Sequence, residues 1–317
     1  MPYTTFTELY DAVVDRGRRG DFAAAYALIT TEGAQFSADA STVLYLRSCM
    51  AERIGKRSEA LAALRNALDQ GHWYGERLLR NSPSWQPLQG DPVFEQLVAR
   101  SLALQNTALA EPAPLVAQPE AMPPAHGWPT LLTLHGNGGN PRLSREGWRS
   151  AAHGWFLAAL HSSQALSSQQ CVWNDPAQAR TDVLAQFAAL RAAHRVDERK
   201  IVLGGFSGGA ETALQLALSG AMRVQGVVLL APGGPLMQDP ERWLPLIREA
   251  ADRDLRAAVV VGAEDAPDLV DAVLQLAPLL DDNGIPCHLE VVQGLGHAYP
   301  QDGGAALRRG LAFVCPE

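Results

Sequence analysis

Lys200-Ile201-Val202-Leu203-Gly204-Gly205-Phe206-Ser207-Gly208-Gly209-Ala210 is the stretch that decides the fold. Ile201 to Leu203 is a short, continuous apolar run, the pattern of a strand buried on both faces. Ala210 to Leu218 reads as the following helix. Between them, Gly205-Phe206-Ser207-Gly208-Gly209 fits G-x-S-x-G, and it does so in the strand-turn-helix setting that gives the pattern meaning. So tight a turn forces the serine into a strained backbone conformation. Side chains two residues to either side would clash, so glycine is required there. The turn also sets the serine oxygen near a helix N-terminus, where the dipole favours developing negative charge.

The same alternation continues outward from this turn. Thr130 to Leu134 reads as a buried strand ending in His135-Gly136, and Trp155 to Leu160 as a second candidate. Val227 to Leu230, Ala258 to Val261 and His288 to Val292 are further short apolar runs. Thr181 to His194 has amphipathic helical spacing, with Val183, Leu184, Phe187 and Leu190 on one face. Leu269 to Leu280 reads as a helix interrupted or ended by Pro278. Continuous apolar strands alternating with helices predict an α/β fold, a mostly parallel sheet covered on both faces.

A serine hydroxyl is a poor nucleophile at neutral pH and needs a base. The chain order that accompanies this motif is serine, then acid, then histidine. His297, in Gly294-Leu295-Gly296-His297, follows the last strand, and the glycines before it allow the loop to bring the ring over Ser207. The other histidines precede the elbow or fall within predicted elements. The acid should end a strand between the two, and Val261-Gly262-Ala263-Glu264-Asp265 supplies Asp265, with Glu264 and Asp268 as rivals. Its carboxylate would hold the imidazole tautomer. Two N–H donors are needed for the oxyanion. One is expected from the backbone of Gly208. The other is expected from the loop His135-Gly136-Asn137-Gly138-Gly139-Asn140, through Asn137 or alternatively Gly138. That loop lacks the lysine and Ser/Thr of a phosphate-binding P-loop.

From about Gly127 to Glu317, roughly 60% of the chain, the sequence resembles the compact α/β-hydrolases, the carboxylesterases and dienelactone hydrolases among them. His135-Gly136, Gly205 to Gly209, Gly262 to Asp265 and Gly294 to His297 match four family landmarks in order. The resemblance implies an eight-stranded or slightly reduced sheet, a Ser207-Asp265-His297 triad and no cofactor. Two departures stand out. Glu211 sits one turn into the helix after the serine, where an acid could oppose the dipole benefit or bind a basic group. Any lid must be small, built from Pro235 to Arg253, and the front of the sheet is either truncated or supplied by the proline-rich segment before it. Trp173, with Asn174 and Asp175, and Trp243 with Met237 are candidate substrate-pocket residues.

The chain changes character near residue 105. Residues 1–104 are rich in Ala, Leu and Arg with helical spacing; 105–129 form a linker or lead-in with six prolines from Pro112 to Pro129; 130–317 form the α/β region. In the first part Leu9 and Leu44, Gly20 and Gly55, and Ala25 and Ala60 are each 35 residues apart. This resembles the tetratricopeptide repeat, although most of that family's aromatic positions are missing and an ordinary helical bundle fits as well. A degenerate third unit would run from about Trp73 to Arg100, with Asp91-Pro92-Val93-Phe94 as a helix start.

With 34 acidic and 26 basic residues, the net charge is −8, which argues against nucleic acid or an anionic membrane as partner. Cys49, Cys171, Cys287 and Cys315 are widely spaced with no C-x-x-C pair, so no zinc site is indicated and free thiols in a reducing compartment are expected. Met1 to Thr7 lacks the pattern of a signal peptide and no apolar run reaches membrane-spanning length, so cytoplasmic residence is the expectation. Together these features predict hydrolysis of a small soluble ester through an acyl-enzyme. A peptidase or amidase with the same triad is the first alternative. The second is a helical-repeat scaffold whose α/β domain mainly binds a partner. The N-terminal helices are candidates for protein binding or self-association.

Overall fold

The computed structural model describes residues 3–109, 113–301 and 303–316; Met1, Glu111, Pro112 and Glu317, which bound stretches read above, lie outside them. The chain forms two compact units: Met1–Glu111 with Ala165–Gln170, and Pro112–Gln164 with Cys171–Glu317.

The first unit is built on α1 (Phe6–Arg18), α2 (Phe22–Glu32), α3 (Ala40–Arg53), α4 (Arg57–Asp69), α5 (Glu76–Asn81) and α6 (Pro92–Ala108). Side-chain caps fix several starts. Thr5 and Glu8 form a capping box on α1, and the Asp91 carboxylate accepts the Val93 and Phe94 amides at 2.9 and 3.2 Å. The 35-residue spacing is written in the main chain. Gly20 N–H donates to Gly17 O and Asp21 N–H to Arg16 O; Gly55 N–H donates to Glu52 O and Lys56 N–H to Ala51 O. Each pair closes a helix end through a glycine in the left-handed region, at φ 81° and 76°. Ala25 and Ala60 are both fully buried, whereas Leu9 is buried and Leu44 only half-buried. The third unit holds the short α5, and α6 starts where Asp91-Pro92 predicts, but α6 runs on to Ala108, into the stretch read as linker.

The second unit carries a seven-stranded sheet. Its strands are β1 (Leu115–Ala117), β2 (Trp128–Leu134), β3 (Phe156–Ala159), β6 (Val196–Phe206), β7 (Gly226–Leu230), β8 (Arg256–Gly262) and β9 (Cys287–Val292), in the order β1-β3-β2-β6-β7-β8-β9. The short β4 (Ala165–Ser167) and β5 (Gln170–Cys171) form a separate two-stranded sheet, and Ala165–Gln170 is counted with the first unit. All neighbours in the large sheet are parallel except β1 and β3. The proline-rich segment therefore supplies an edge strand, antiparallel and at the rim, where its missing donors cost least.

Alternation explains why the strands are apolar throughout. Leu132, Leu203, Val227, Leu229, Val259 and Val261 enter one buried cluster with α8 (Pro176–Ala193), α9 (Gly208–Leu218), α10 (Leu244–Ala250) and α11 (Pro267–Asp282). Their neighbours Leu131, Val202, Val228, Leu230, Ala258 and Val260 enter a second cluster with α7 (Pro141–Trp148) and α12 (Ala305–Val314). Strands β2, β6, β7 and β8 thus bury both faces, as the inner strands of a parallel sheet between two helical layers must, while the edge strands β1 and β9 are only partly covered.

Two expectations about elements are corrected. Pro278 lies inside α11 and does not end it. The carbonyl it frees is that of Leu274, and both residues lie on the exposed face, where water can satisfy that oxygen. Helix α8 begins at Pro176 rather than Thr181, because the Asp175 carboxylate caps it by accepting the Ala177 and Gln178 amides at 2.9 and 3.1 Å. Asp175 is a helix cap, not a pocket residue. Among the described residues, no helix is long and apolar enough to cross a membrane.

Gly20 and Gly55 stand in open space, with no heavy atom within 4 Å of where a Cβ would be, so only backbone conformation opposes a side chain there. Gly20→Ala and Gly55→Ala should each lower unfolding free energy by about 1–2 kcal/mol. Urea denaturation checks this, and a large difference between the two would break the equivalence of the repeats.

Candidate active site

The parallel order brings the C-terminal ends of β2, β6, β7, β8 and β9 to one edge of the sheet, the edge where α/β folds gather their reactive loops. At the end of β6 the chain reverses sharply into α9. Ser207 has φ 52° and ψ −123°, one of only two non-glycine residues with positive φ among the described residues. Both flanking glycines are obligatory on steric grounds. A Cβ at Gly205 would strike the Gly209 carbonyl and the Ala210 backbone, and one at Gly209 would strike the carbonyls of His135 and Leu134. The turn is held by Ser207 N–H, which donates to Leu230 O at 3.0 Å.

The three side chains singled out in the sequence converge. The Ser207 hydroxyl lies 3.0 Å from His297 Nε2. His297 Nδ1 lies 2.9 Å from Asp265 Oδ2. The other Asp265 oxygen accepts the Ala266 amide at 2.7 Å, which locks the carboxylate plane. Asp265 is buried, whereas its rivals Glu264 and Asp268 are exposed. The loops that carry acid and base cross closely: Glu264 N–H donates to Leu295 O at 2.9 Å, and a Cβ at Gly262 would collide with the Leu295 carbonyl. The Phe206 ring packs against the imidazole at a centroid distance of 4.8 Å and against Tyr299 at the same distance. A carboxylate on Nδ1 leaves Nε2 free to take a proton from the hydroxyl, so the geometry can convert Ser207 into an alkoxide-like nucleophile.

The loop after β2 lies against this turn. The Asn137 side chain sits 2.7 Å from where a Gly208 Cβ would be, so any larger residue at 208 would displace it. Gly138 N–H is already engaged, donating to Cys171 O at 2.8 Å, which removes it as a second oxyanion donor. Of the two loop amides considered, that of Asn137 stays a candidate donor beside Gly208. The His135 imidazole packs against Trp173 in a tilted arrangement, centroids 5.0 Å apart, and burial pushes its pKa down to about 4, so it is neutral at pH 7. Its Nδ1 lies 2.9 Å from Gly136 O and must be the donor in that pair.

Trp173 and Trp243 are buried and are not among the residues that line the cleft described below. Trp173 is only 5% exposed; its indole N–H donates to His135 O at 2.9 Å and its amide donates to Asn137 Oδ1 at 2.8 Å. Asn174 Oδ1 accepts the Asn137 side-chain amide at 3.1 Å. Trp173 and Asn174 therefore brace the loop after β2. Trp243 has no exposed surface and belongs to the main core, its large ring being a better filler than a cleft wall.

The cleft beside Ser207 has a volume of about 720 Å³ and is lined by Gly233, Pro235, Met237, Ala266, Asp268 and Leu269, among others. Met237 is legible in the sequence as a lining residue; Gly233 and Ala266 are not, because small residues in loops carry no periodic signal, and Leu269 reads only as the start of a helix. Glu211 also has a partner that the sequence did not reveal. Its Oε2 accepts the Leu236 and Met237 amides at 2.8 and 3.1 Å. Burial pushes its carboxyl pKa up, and those two amides pull it partway back. It binds backbone donors rather than a basic side chain. Among the described residues, no group of three or more His, Cys, Asp or Glu could hold a metal ion.

Comparison with known proteins agrees with this architecture. Residues 5–108 match the family model described as A/B hydrolase-like, N-terminal domain. No curated protein matches the sequence. An uncharacterized protein from Bacillus cereus ATCC 10987 superposes with a TM-score of 0.54 at 23% identity, over 98% of this chain and 99% of that chain. Esterase PE8 has a TM-score of 0.49 at 21% identity, over 65% of this chain and 100% of that one. The Staphylococcus aureus fluorophosphonate-binding serine hydrolase F has a TM-score of 0.48 at 14% identity, over 63% and 90%. Sheet order, the Ser207 turn and the likeness that runs the length of the Bacillus cereus protein together give the chain an α/β-hydrolase-like fold, preceded by a helical region that matches the A/B hydrolase-like N-terminal domain.

Proposed function

We propose that the chain is a serine hydrolase that cleaves a carboxylic ester of a small soluble substrate through an acyl-enzyme. The observation that carries this reading is the unbroken relay from Ser207 Oγ to His297 Nε2 at 3.0 Å and from His297 Nδ1 to Asp265 Oδ2 at 2.9 Å. In the first half-reaction, Ser207 Oγ attacks the ester carbonyl carbon while its proton passes to Nε2. The carbonyl electrons move onto oxygen, and that oxyanion is received by the Gly208 and Asn137 amides. Collapse re-forms the carbonyl and expels the alcohol, which takes the proton back from His297. Water then repeats the sequence on the acyl-serine, and the carboxylic acid leaves. Asp265 keeps its charge throughout, holding the ring in the productive tautomer and stabilising the imidazolium.

The fluorophosphonate test separates an enzyme from a binding scaffold. A fluorophosphonate should label one site, Ser207, stoichiometrically. Ser207→Ala should abolish labelling, and His297→Ala should slow ester turnover by about 10⁴-fold or more. Robust labelling of Ser207→Ala sinks the assignment. A panel of p-nitrophenyl esters of graded chain length, run beside aminoacyl anilides, distinguishes the esterase from the peptidase or amidase alternative.

The cleft also carries a sign. Asp268 and Asp271 line it, and among the described residues no Lys or Arg does. An ester bearing a carboxylate should therefore show kcat/KM about tenfold below that of a neutral ester of equal size at low salt. The gap should narrow in 0.5 M salt, roughly as screening shortens the reach of those charges. Equal rates for the two esters would mean that the acidic wall does not face the bound substrate.

A further inference from the structure

One acid beside the serine turn takes no part in the mechanism above. Glu211 is the acid in the first turn of α9. Its amide donates to Ser207 O at 3.2 Å, so it is rigidly tied to the serine turn. Its carboxylate faces the other way, toward the segment after β7. Oε2 accepts two consecutive amides there, Leu236 at 2.8 Å and Met237 at 3.1 Å. The segment rests directly on the carboxylate: a Cβ at Gly234 would stand 2.6 Å from the Glu211 carboxyl carbon, at a φ of 156°. Between the end of β7 and the short 3-10 turn at Pro240–Trp243 no regular helix or strand supports these residues.

That segment is also a wall of the cleft. Gly233 lies so close to the nucleophile that a Cβ there would be 3.7 Å from Ser207 Oγ and 3.3 Å from Leu269 Cδ1. Gly233, Gly234, Pro235 and Met237 line the same volume as Ala266, Leu269 and Ala272. Within the wall, Met237 N–H is shared with Gly234 O at 3.1 Å and Arg242 Nη1 donates to Pro235 O at 3.3 Å. Two ties join this wall to the serine turn, Gly233 N–H to Ser207 O at 3.3 Å and the Glu211 clamp. The first is long, neutral and made by one amide. The second is charge-assisted and made by two.

We propose that Glu211 is a positioning residue that sets substrate size: by clamping residues 233–237 beside Ser207 it fixes how large an ester the cleft holds in contact. This rests on the ester-hydrolase reading above. An ester that fills the cleft uses the clamped wall, whereas an acetyl ester hardly reaches it. Loss of the clamp should appear in KM for the larger ester more than in kcat, because the triad and the oxyanion amides lie on other loops.

The test compares the full chain with Glu211→Ala and Glu211→Gln by hydrogen exchange and by steady-state kinetics on p-nitrophenyl acetate and hexanoate. In Glu211→Ala, exchange across residues 233–239 should rise at least about tenfold while α9 keeps its protection. KM for the hexanoate should rise about fivefold, with kcat changed by less than about twofold. Glu211→Gln keeps a neutral acceptor oxygen and should fall between, with exchange faster by roughly two- to fivefold. Should Glu211→Ala fail to fold, Glu211→Gln decides: wild-type exchange together with a wild-type ratio of hexanoate to acetate KM overturns the proposal. Loosening of 233–239 with no change in that ratio also overturns it. If the wild-type chain hydrolyses neither ester, the functional reading fails, and the exchange data still decide whether Glu211 holds the segment.

Discussion

Everything at the reactive edge depends on one backbone reversal at Ser207. A residue with φ 52° and ψ −123° is held there against a cost of roughly 1–3 kcal/mol. The surroundings over-determine it. Gly205 and Gly209 let α9 fold back until the Gly209 backbone touches the carbonyls that end β2. Strand β6 is anchored between β2 and β7 in parallel register. With both ends of the turn fixed in the most buried part of the sheet, relaxation at Ser207 would require β6 or α9 to move as a whole. Packed parallel strands resist that displacement.

The consequences run outward through backbone contacts rather than through long side chains. Ser207 N–H reaches Leu230 O, the last residue of β7. Ala231, the next residue, is the other non-glycine with positive φ, at 44°, and it hands its amide to Val260 O in β8. Two strained residues thus stand on adjacent strand ends, and β8 delivers Asp265 just beyond the second. Gly262 then lets the histidine loop cross the acid loop at contact distance. The triad geometry is the sum of these short steps, each fixed by hydrogen bonds between neighbouring strand ends.

The sequence was most legible where local and global constraints coincide. Gly205 and Gly209 around a serine, between an apolar run and a helix, leave few other structures. Ser207 and His297 follow from that motif and from chain order, and Asp265 follows from its place at a strand end. The continuous apolar strands also announced a sheet buried on both faces. Legibility failed where a residue acts through a distant contact. Trp173 reads as a pocket aromatic, but its indole N–H found the His135 carbonyl 38 residues away. Trp243 reads the same way and fills the core instead. Glu211 gave no hint of the Leu236 and Met237 amides, since backbone donors leave no mark on the residue type. Pro278 misled because its effect depends on which helix face it occupies, and it occupies the wet one.

The acids around the cleft show how position rather than residue type assigns a role. Asp265 is buried and engaged on both oxygens, by the imidazole and by the Ala266 amide, so its charge has partners and its orientation is fixed. Glu211 is half-buried and bonded by two neutral amides, with the Arg242 charge near enough to act on it; burial outweighs all three, and its pKa rises. Asp268 and Asp271 are exposed on the rim, screened by water, with nothing to hold them in one direction. A buried, oriented carboxylate can stabilise an imidazolium at contact range, a clamped one can hold a loop, and a solvated one can only bias which charges approach. Exchanging Asp265 with its neighbour Glu264 in sequence would not exchange their functions, because only position 265 offers the enclosed site with two donors. The chemistry proposed for this chain is in that sense a property of the strand ends, which decide which carboxylate is dry.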